Sequence, residues 1–284
     1  MRWPAIHAEQ LNGLEFLAPP FLSREKVEKT ETVRKGKPSF PKCNSFASPK
    51  AKATMKDIKV IAFDADDTLW INEPYFQETE KEFCKLLENY LPQHTTGREL
   101  LRMEIQNLPL YGYGIKGFML SMIETALEVT EGTIDIKAID KILTLGKELL
   151  MRPIELLEGV EEVLLTLKGH YRLVVATKGD LLDQERKLKN SGVDHHFHHI
   201  EIMSEKGEND YRKLIKHLDI APHEFLMIGN SLKSDVLPVL NLGGHAIHVP
   251  YHTTWAHEII DHKVEHENFI GVTHIKEILP HLLS

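Results

Sequence analysis

Five short apolar runs, "KVIAFD", "YRLVVAT", "HHIEIMS", "EFLMIGN" and "HAIHVP", recur along this chain, each followed by a stretch with helical periodicity. Strands that alternate with helices join as parallel neighbours through crossover helices, not as hairpins. The pattern therefore predicts an α/β fold built on a doubly wound parallel sheet. Helix punctuation supports this: Leu181 to Ser191 runs into Gly192 as a C-terminal glycine, and Ser234 is expected to cap a helix running towards Gly243. Ligands of such sheets sit at the carboxyl ends of the strands. Asp64, Thr177 and Asn230 all fall there.

The chain has 284 residues, 42% of them hydrophobic and 27% charged, enough for one large domain or two smaller ones with their own cores. Residues 1–54 are rich in scattered Pro, Ser and Lys without periodicity and read as a disordered leader. Five acidic residues there count against an organelle transit peptide, and an upstream start codon explains the segment equally well. Residues 55–70 and 153–284 are assigned to the α/β core. Between the first two strands, residues 71–152 show helical stretches such as "EPYFQETEKEFCKLLENYL" and "GFMLSMIETALEV", which predict a helical cap over the site. A cover of this kind excludes water and selects the substrate.

Charge narrows the partners. Residues 1–54 carry ten Lys or Arg against five Asp or Glu, so the remainder stands at −13 within a chain net charge of −8. Nucleic-acid backbones are held by Lys and Arg surfaces, so an acidic body argues against that partner. An anionic substrate would have to be attracted locally. No apolar run approaches a membrane helix, and no secretory signal precedes the body, so a soluble cytoplasmic protein is expected. Cys43 and Cys84 make neither a disulfide framework nor a CxxC metal pair and read as free thiols. Oligomeric state is left open.

The stretch "KVIAFDADDTLW" places Asp64, Asp66 and Asp67 directly after an apolar strand. Like charges about 4 Å apart repel by roughly 1 kcal/mol in water and about 4 kcal/mol at a protein-surface dielectric. A hard divalent cation offsets this, because magnesium takes one or two carboxylates together with phosphate oxygens and water. The simpler alternative is a solvated turn whose acids cap the next helix.

Four marks stand in order near strand ends: "DADDT" (Asp64 to Thr68), "VVATKG" with Thr177, "SEKGEND" with Lys206, and "MIGNSLKSD" with Asn230 and Asp235. On these the chain resembles a haloacid dehalogenase (HAD) superfamily hydrolase with a helical cap inserted after the first strand, over roughly Lys56 to Ser284. The resemblance implies a Rossmann-like core and a set of roles. Asp64 would be the nucleophile that forms an aspartyl-phosphate, and Asp66 the general acid and base, its backbone carbonyl also ligating Mg2+. Asp67 more readily supports the turn. Thr177 and the amides of Lys178 and Gly179 would form an anion nest for phosphoryl oxygens. Lys206 would neutralise charge on Asp64 and the phosphoryl group.

Asn230 departs from the family pattern, where many relatives carry a magnesium-binding Asp. Its amide oxygen still suits a hard cation but brings no charge, and Asp235 is expected to restore charge directly or through water. The seventeen histidines include "HHFHH", His195 to His199, read as an exposed strand edge in preference to a zinc pair. In "LYGYGIKGF", Tyr111, Tyr113 and Lys116 lie either at a helix-start turn or bent towards the site. The expected activity is magnesium-dependent hydrolysis of a small phosphorylated metabolite. Asp66 favours this over dehalogenation, in which a halide leaves without a proton. A phosphomutase, a haloacid dehalogenase-type hydrolase, and a non-catalytic binding or regulatory protein with the same fold are the alternatives.

Overall fold

The run Val60–Phe63, here β1, holds four apolar residues, and all four are fully buried. Side chains alternate between the two faces of a strand, so a strand apolar at every position needs cover on both sides. In the computed structural model, which describes residues 55–283, that cover is present. β1 pairs in parallel with β2 (Arg172–Lys178) on one side and β4 (Phe225–Gly229) on the other. β3 (His199–Met203), β5 (His245–His248) and β6 (Phe269–Gly271) complete a parallel sheet in the order β3-β2-β1-β4-β5-β6. Strand order reverses between β1 and β4, and a crevice opens at the carboxyl ends of strands at such a switch point. The expected leader, residues 1–54, and Cys43 lie outside the described residues.

Four helices are inserted between β1 and β2: α1 (Glu73–Leu86), α2 (Gln93–Tyr111), α3 (Ile115–Val129) and α4 (Ile136–Leu150). They close around their own core, in which Phe83, Leu100, Phe118, Met122 and Ile142 meet. The turn from α2 to α3 needs Gly112 and Gly114, at φ +69° and +110°, a region that side chains disfavour. It is a helix-start turn, and it also aims Tyr113 at the core, where its hydroxyl lies 2.9 Å from Glu205. Lys116 in α3 reaches Asp180 of the core at 2.9 Å. Tyr111 turns instead to Glu124 within the insertion.

The sheet is wrapped by α5 (Val160–Leu167) and α6 (Leu181–Ser191) on one face and by α7 (Glu208–His217) and α8 (Leu237–Asn241) on the other. Ile61, Phe63, Val175 and Ile228 pack with Val163, Leu164 and Leu188. Val60, Ala62, Val174 and Met227 pack with Tyr211, Leu214 and Val239. The fold is thus a doubly wound α/β core with a helical insertion. α6 spans Leu181–Ser191 and stops at Gly192, φ +75°, where its sequence placed it.

Three local readings differ. The cap before α8 is Ser231, not Ser234: the Ser231 hydroxyl accepts the Ser234 amide at 3.0 Å, and Leu232–Val236 form a π-turn that continues into α8. "HHFHH" is no strand, because Asp194–His196 wind into a 3-10 turn that carries the chain from α6 to β3, and the strand begins only at His199. β6 was not expected; three half-exposed residues are too few to show a period. Among the described residues, no helix is long and apolar enough to cross a membrane, and Cys84 is a buried free thiol.

Gly229, the last residue of β4, lies against the Asp235 carboxyl, and a Cβ there would overlap it. Gly229→Ala should cost about 1–3 kcal/mol, the usual range for overpacking. Gly271→Ala, at an open strand end, should stay within about 0.5 kcal/mol. Denaturant unfolding of both variants checks this, and equal midpoints would show that the Asp235 loop yields freely.

Candidate active site

Asp64 leaves the end of β1 with its amide donating to Ile228 of β4 at 2.9 Å, so the sheet itself fixes its position. Its carboxylate is 7% exposed. One oxygen takes the Lys206 ammonium at 2.5 Å and the other the Thr68 hydroxyl at 3.0 Å. Lys206, from the loop after β3, also reaches Asp235 at 2.6 Å. One buried cation therefore serves two buried carboxylates. Burial raises the Asp64 carboxyl to about 7, with Lys206 opposing and Asp235 adding to the rise. Burial alone would lower the Lys206 ammonium, but Asp235 and Asp64 outweigh it and hold it well above its ordinary value.

The next two acids have separate partners. Asp66 accepts Lys187 at 2.6 Å, Gln184 at 2.8 Å and the Trp70 indole N–H at 2.8 Å. Burial acts to raise its carboxyl, yet Lys187 and these donors outweigh it and hold the group below the usual carboxylate range. Asp67, at φ +59°, accepts the amides of Asn72 and Glu73 at 2.9 Å and so satisfies free donors at the start of α1. That is a structural part, as its place in the turn suggested. Burial raises it to about 8.

At the end of β2, Thr177 is 3% exposed and Gly179 sits at φ +142°, so the chain turns sharply there. The Lys178 side chain is clamped by Glu258 at 2.5 Å and Ser234 at 2.9 Å, and lies 4.1 Å from the Tyr113 ring centroid. Glu258 also accepts the hydroxyls of Ser231 and Ser234, at 2.5 and 2.6 Å. Burial would raise Glu258, but Lys178 and the two serines prevail and hold it down at about 2.

At β4, Asn230 is held by its backbone: His248 Nε2 donates to its carbonyl oxygen at 2.9 Å. Its amide oxygen is 3.4 Å from the Thr68 hydroxyl, which is closer to Asp64. Asp235 is 1% exposed, with one oxygen on Lys206 and the other on the Ser231 amide at 2.9 Å. The expected extra charge at a metal is therefore already engaged in holding Lys206 and this loop. Among the described residues no three His, Cys, Asp or Glu side chains are placed to hold a metal. Magnesium would draw on Asp64, the Asp66 backbone carbonyl and the Asn230 amide oxygen, a hard oxygen set. Such an ion would also suit the charge there, since Asp64, Asp235 and Lys206 together carry one uncompensated negative charge.

Asp64, Asp66, Thr177, Lys178, Lys206, Asn230 and Asp235 share one cavity of about 200 Å³ between the sheet and the insertion. Gly179 borders it without lining it. Sequence reasoning missed Lys187, Gln184, Glu258 and His248. Lys187 and Gln184 lie on α6 and carry no motif, though the i, i+3 spacing of two long polar residues marks one helix face. Glu258 ends a three-residue 3-10 turn, too short to give a sequence signal.

The haloacid dehalogenase-like hydrolase family profile matches residues 58–243. Among solved structures, the chain is similar to a haloacid dehalogenase-like family hydrolase from Xanthomonas campestris, at 38% identity and TM-score 0.68, covering 80% of this chain and 90% of that one. A HAD phosphatase from Thermococcus onnurineus matches at 17% identity and TM-score 0.54, covering 80% and 98%. A 2-haloacid dehalogenase from Pseudomonas syringae matches at 16% and 0.54, with the same coverage. These last two show the fold alone. No curated protein matches the chain.

Glu258 provides a pH test. Its carboxyl is depressed on folding from 4.5 to about 2, so its contribution is fully present above pH 4.5 and is lost as pH falls towards 2. The shift corresponds to roughly 3 kcal/mol. Glu258→Gln should destabilise the protein at pH 7 by an amount of that order, and the gap from wild type should narrow steadily below pH 4.5. Unfolding midpoints across pH 2–7 check it; a gap independent of pH would mean that the carboxylate charge is not what holds Lys178.

Proposed function

Because the chain belongs to the haloacid dehalogenase-like hydrolases, we propose that it is a magnesium-dependent phosphatase that hydrolyses a small phosphate monoester through an aspartyl-phosphate on Asp64. The reading rests on one contact, the buried Lys206 ammonium at 2.5 Å from Asp64, with Asp66 two residues further along the same turn. A carboxylate fixed by a cation is an oriented nucleophile, and the same cation neutralises charge that develops on a transferring group.

In the first half-reaction an Asp64 oxygen bonds to phosphorus as the bond from phosphorus to the leaving oxygen breaks. Asp66 gives that oxygen its proton. In the second, water attacks phosphorus, Asp66 takes its proton, and phosphate departs from a restored Asp64. Thr177 and the amides of Lys178 and Gly179 would hold the phosphoryl oxygens. Bound magnesium would supply positive charge at those oxygens from its place on Asp64, Asp66 and Asn230. Asp235 acts through Lys206 and the Asn230 loop. Lys187 and Gln184 hold Asp66 as a carboxylate, the form that accepts a proton from water; to act as the acid it must exchange Lys187 for a proton.

That last observation favours a second reading. A halide leaves as an anion and needs no acid, so a carboxylate at Asp66 bound to Lys187 is compatible with hydrolysis of a small haloacid. The leaving groups separate the two readings. With an aryl phosphate and magnesium, wild type should turn over, and Asp64→Asn should lose turnover and phosphoenzyme labelling together. Asn230→Asp should lower the magnesium concentration for half-maximal rate, because the added charge faces a dication at short range. Chloride release from 2-chloropropionate with no phosphate release would favour the dehalogenase; normal turnover by Asp64→Asn would remove covalent catalysis from either.

A further inference from the structure

The cavity beside Asp64 holds three lysines, and each is already ion-paired: Lys178 with Glu258, Lys187 with Asp66, and Lys206 with Asp64 and Asp235. The insertion contributes the opposite. Glu73 and Glu80 lie one above the other on α1, seven residues apart, and Glu104 faces them from α2; all three line the cavity. Among the described residues none of the three has a Lys, Arg or His within ion-pair distance. Burial raises Glu73 and Glu104 to about 7, and repulsion adds to it: Glu104 and Glu80 act on Glu73, and Glu80 acts on Glu104.

A second, independent observation concerns two neutral amides in the same cavity. Asn107 is 4% exposed, and its NH2 group donates to Ser121 and Glu124 at 3.2 Å, which fixes its orientation; its carbonyl oxygen accepts no hydrogen bond among the described residues. Gln184, also 4% exposed, donates to Asp66 and to the Lys178 carbonyl, and its own carbonyl oxygen has no partner. Neutral donors already reach two of the carboxylates, Trp255 on Glu104 and Gln77 on Glu73, but among the described residues no cation pairs with any of the three. Buried acceptors without donors are costly, and like charges more so. The complement that this end lacks is a donor that also carries positive charge.

The carboxylates repel one another yet do not converge on one metal shell among the described residues. An ammonium group on a short carbon chain fits that spacing, and the Phe76 and Trp255 rings, which also line the cavity, suit it as well. Resting on the phosphatase reading, we propose that the physiological substrate is a phosphate ester that carries a protonated amine, with the phosphate at Asp64 and the ammonium among Glu73, Glu80 and Glu104.

Two phosphonates that differ by one atom test this. 3-Aminopropylphosphonate and butylphosphonate have the same chain length, and neither has an ester bond to cleave, so calorimetric titration of the full chain with magnesium reads binding apart from turnover. The amine should bind about tenfold more tightly. In Glu73→Gln and in Glu104→Gln that ratio should shrink several-fold. Equal binding of the two probes, no binding of either at millimolar concentration, or an undiminished ratio in both variants would overturn the proposal. If a variant fails to fold, the wild-type ratio still decides. Should the amine preference hold while no phosphate ester is hydrolysed, the subsite stands and the phosphatase reading falls.

Discussion

The Lys206 ammonium, buried between Asp64 and Asp235, is the contact on which the geometry of the site depends. Three charges have been taken out of water, and removing the Lys206 ammonium would leave two buried carboxylates uncompensated at a cost of several kcal/mol. The three residues follow β1, β3 and β4, so the triad ties together the carboxyl ends of strands that lie apart in sequence. It also leaves one negative charge in excess. That excess favours further positive charge nearby; the Asp64 carboxyl itself is raised chiefly by burial, with Lys206 opposing and Asp235 adding to the rise.

The same economy of cations shapes the surroundings. Lys178 and Lys187 each have a dedicated carboxylate, Glu258 and Asp66, and the donors Ser231, Ser234, Gln184 and Trp70 complete those pairs. The core thus gives every cavity lysine at least one carboxylate partner. The insertion presents unbalanced acid, which is tolerable only near water or near a complementary ligand. On the proposed reading, a phosphate-binding floor under an acidic roof would select molecules with both signs of charge, a stronger filter than either surface alone.

Much of the core was legible because its signals are local. β1 and β4 are wholly buried apolar runs and β2 holds one at residues 173–176, and a parallel sheet buries both faces, so the composition of these strands announces them. The end of α6 at Gly192 was equally plain, since a left-handed residue stops a helix. Asp64 and Asn230 follow β1 and β4, Thr177 lies near the end of β2 and Lys206 follows the half-buried β3, and the register of the sheet brings those strand ends together. β6 and the 3-10 turn at His195 failed as readings for the same reason in reverse: segments of three residues hold too little pattern to distinguish one state from another.

By itself the sequence determined the fold class, the helical insertion after the first strand, and which polar groups stand at strand ends, because these follow from hydrophobic period and chain order. Only the tertiary structure decided which charges are free. Lys187 engages Asp66 across 121 residues, and Glu258 engages Lys178 across 80. Whether a side chain is paired or open depends on distances of a few ångströms between segments far apart in the chain, and electrostatic coupling at that range has no counterpart in local periodicity.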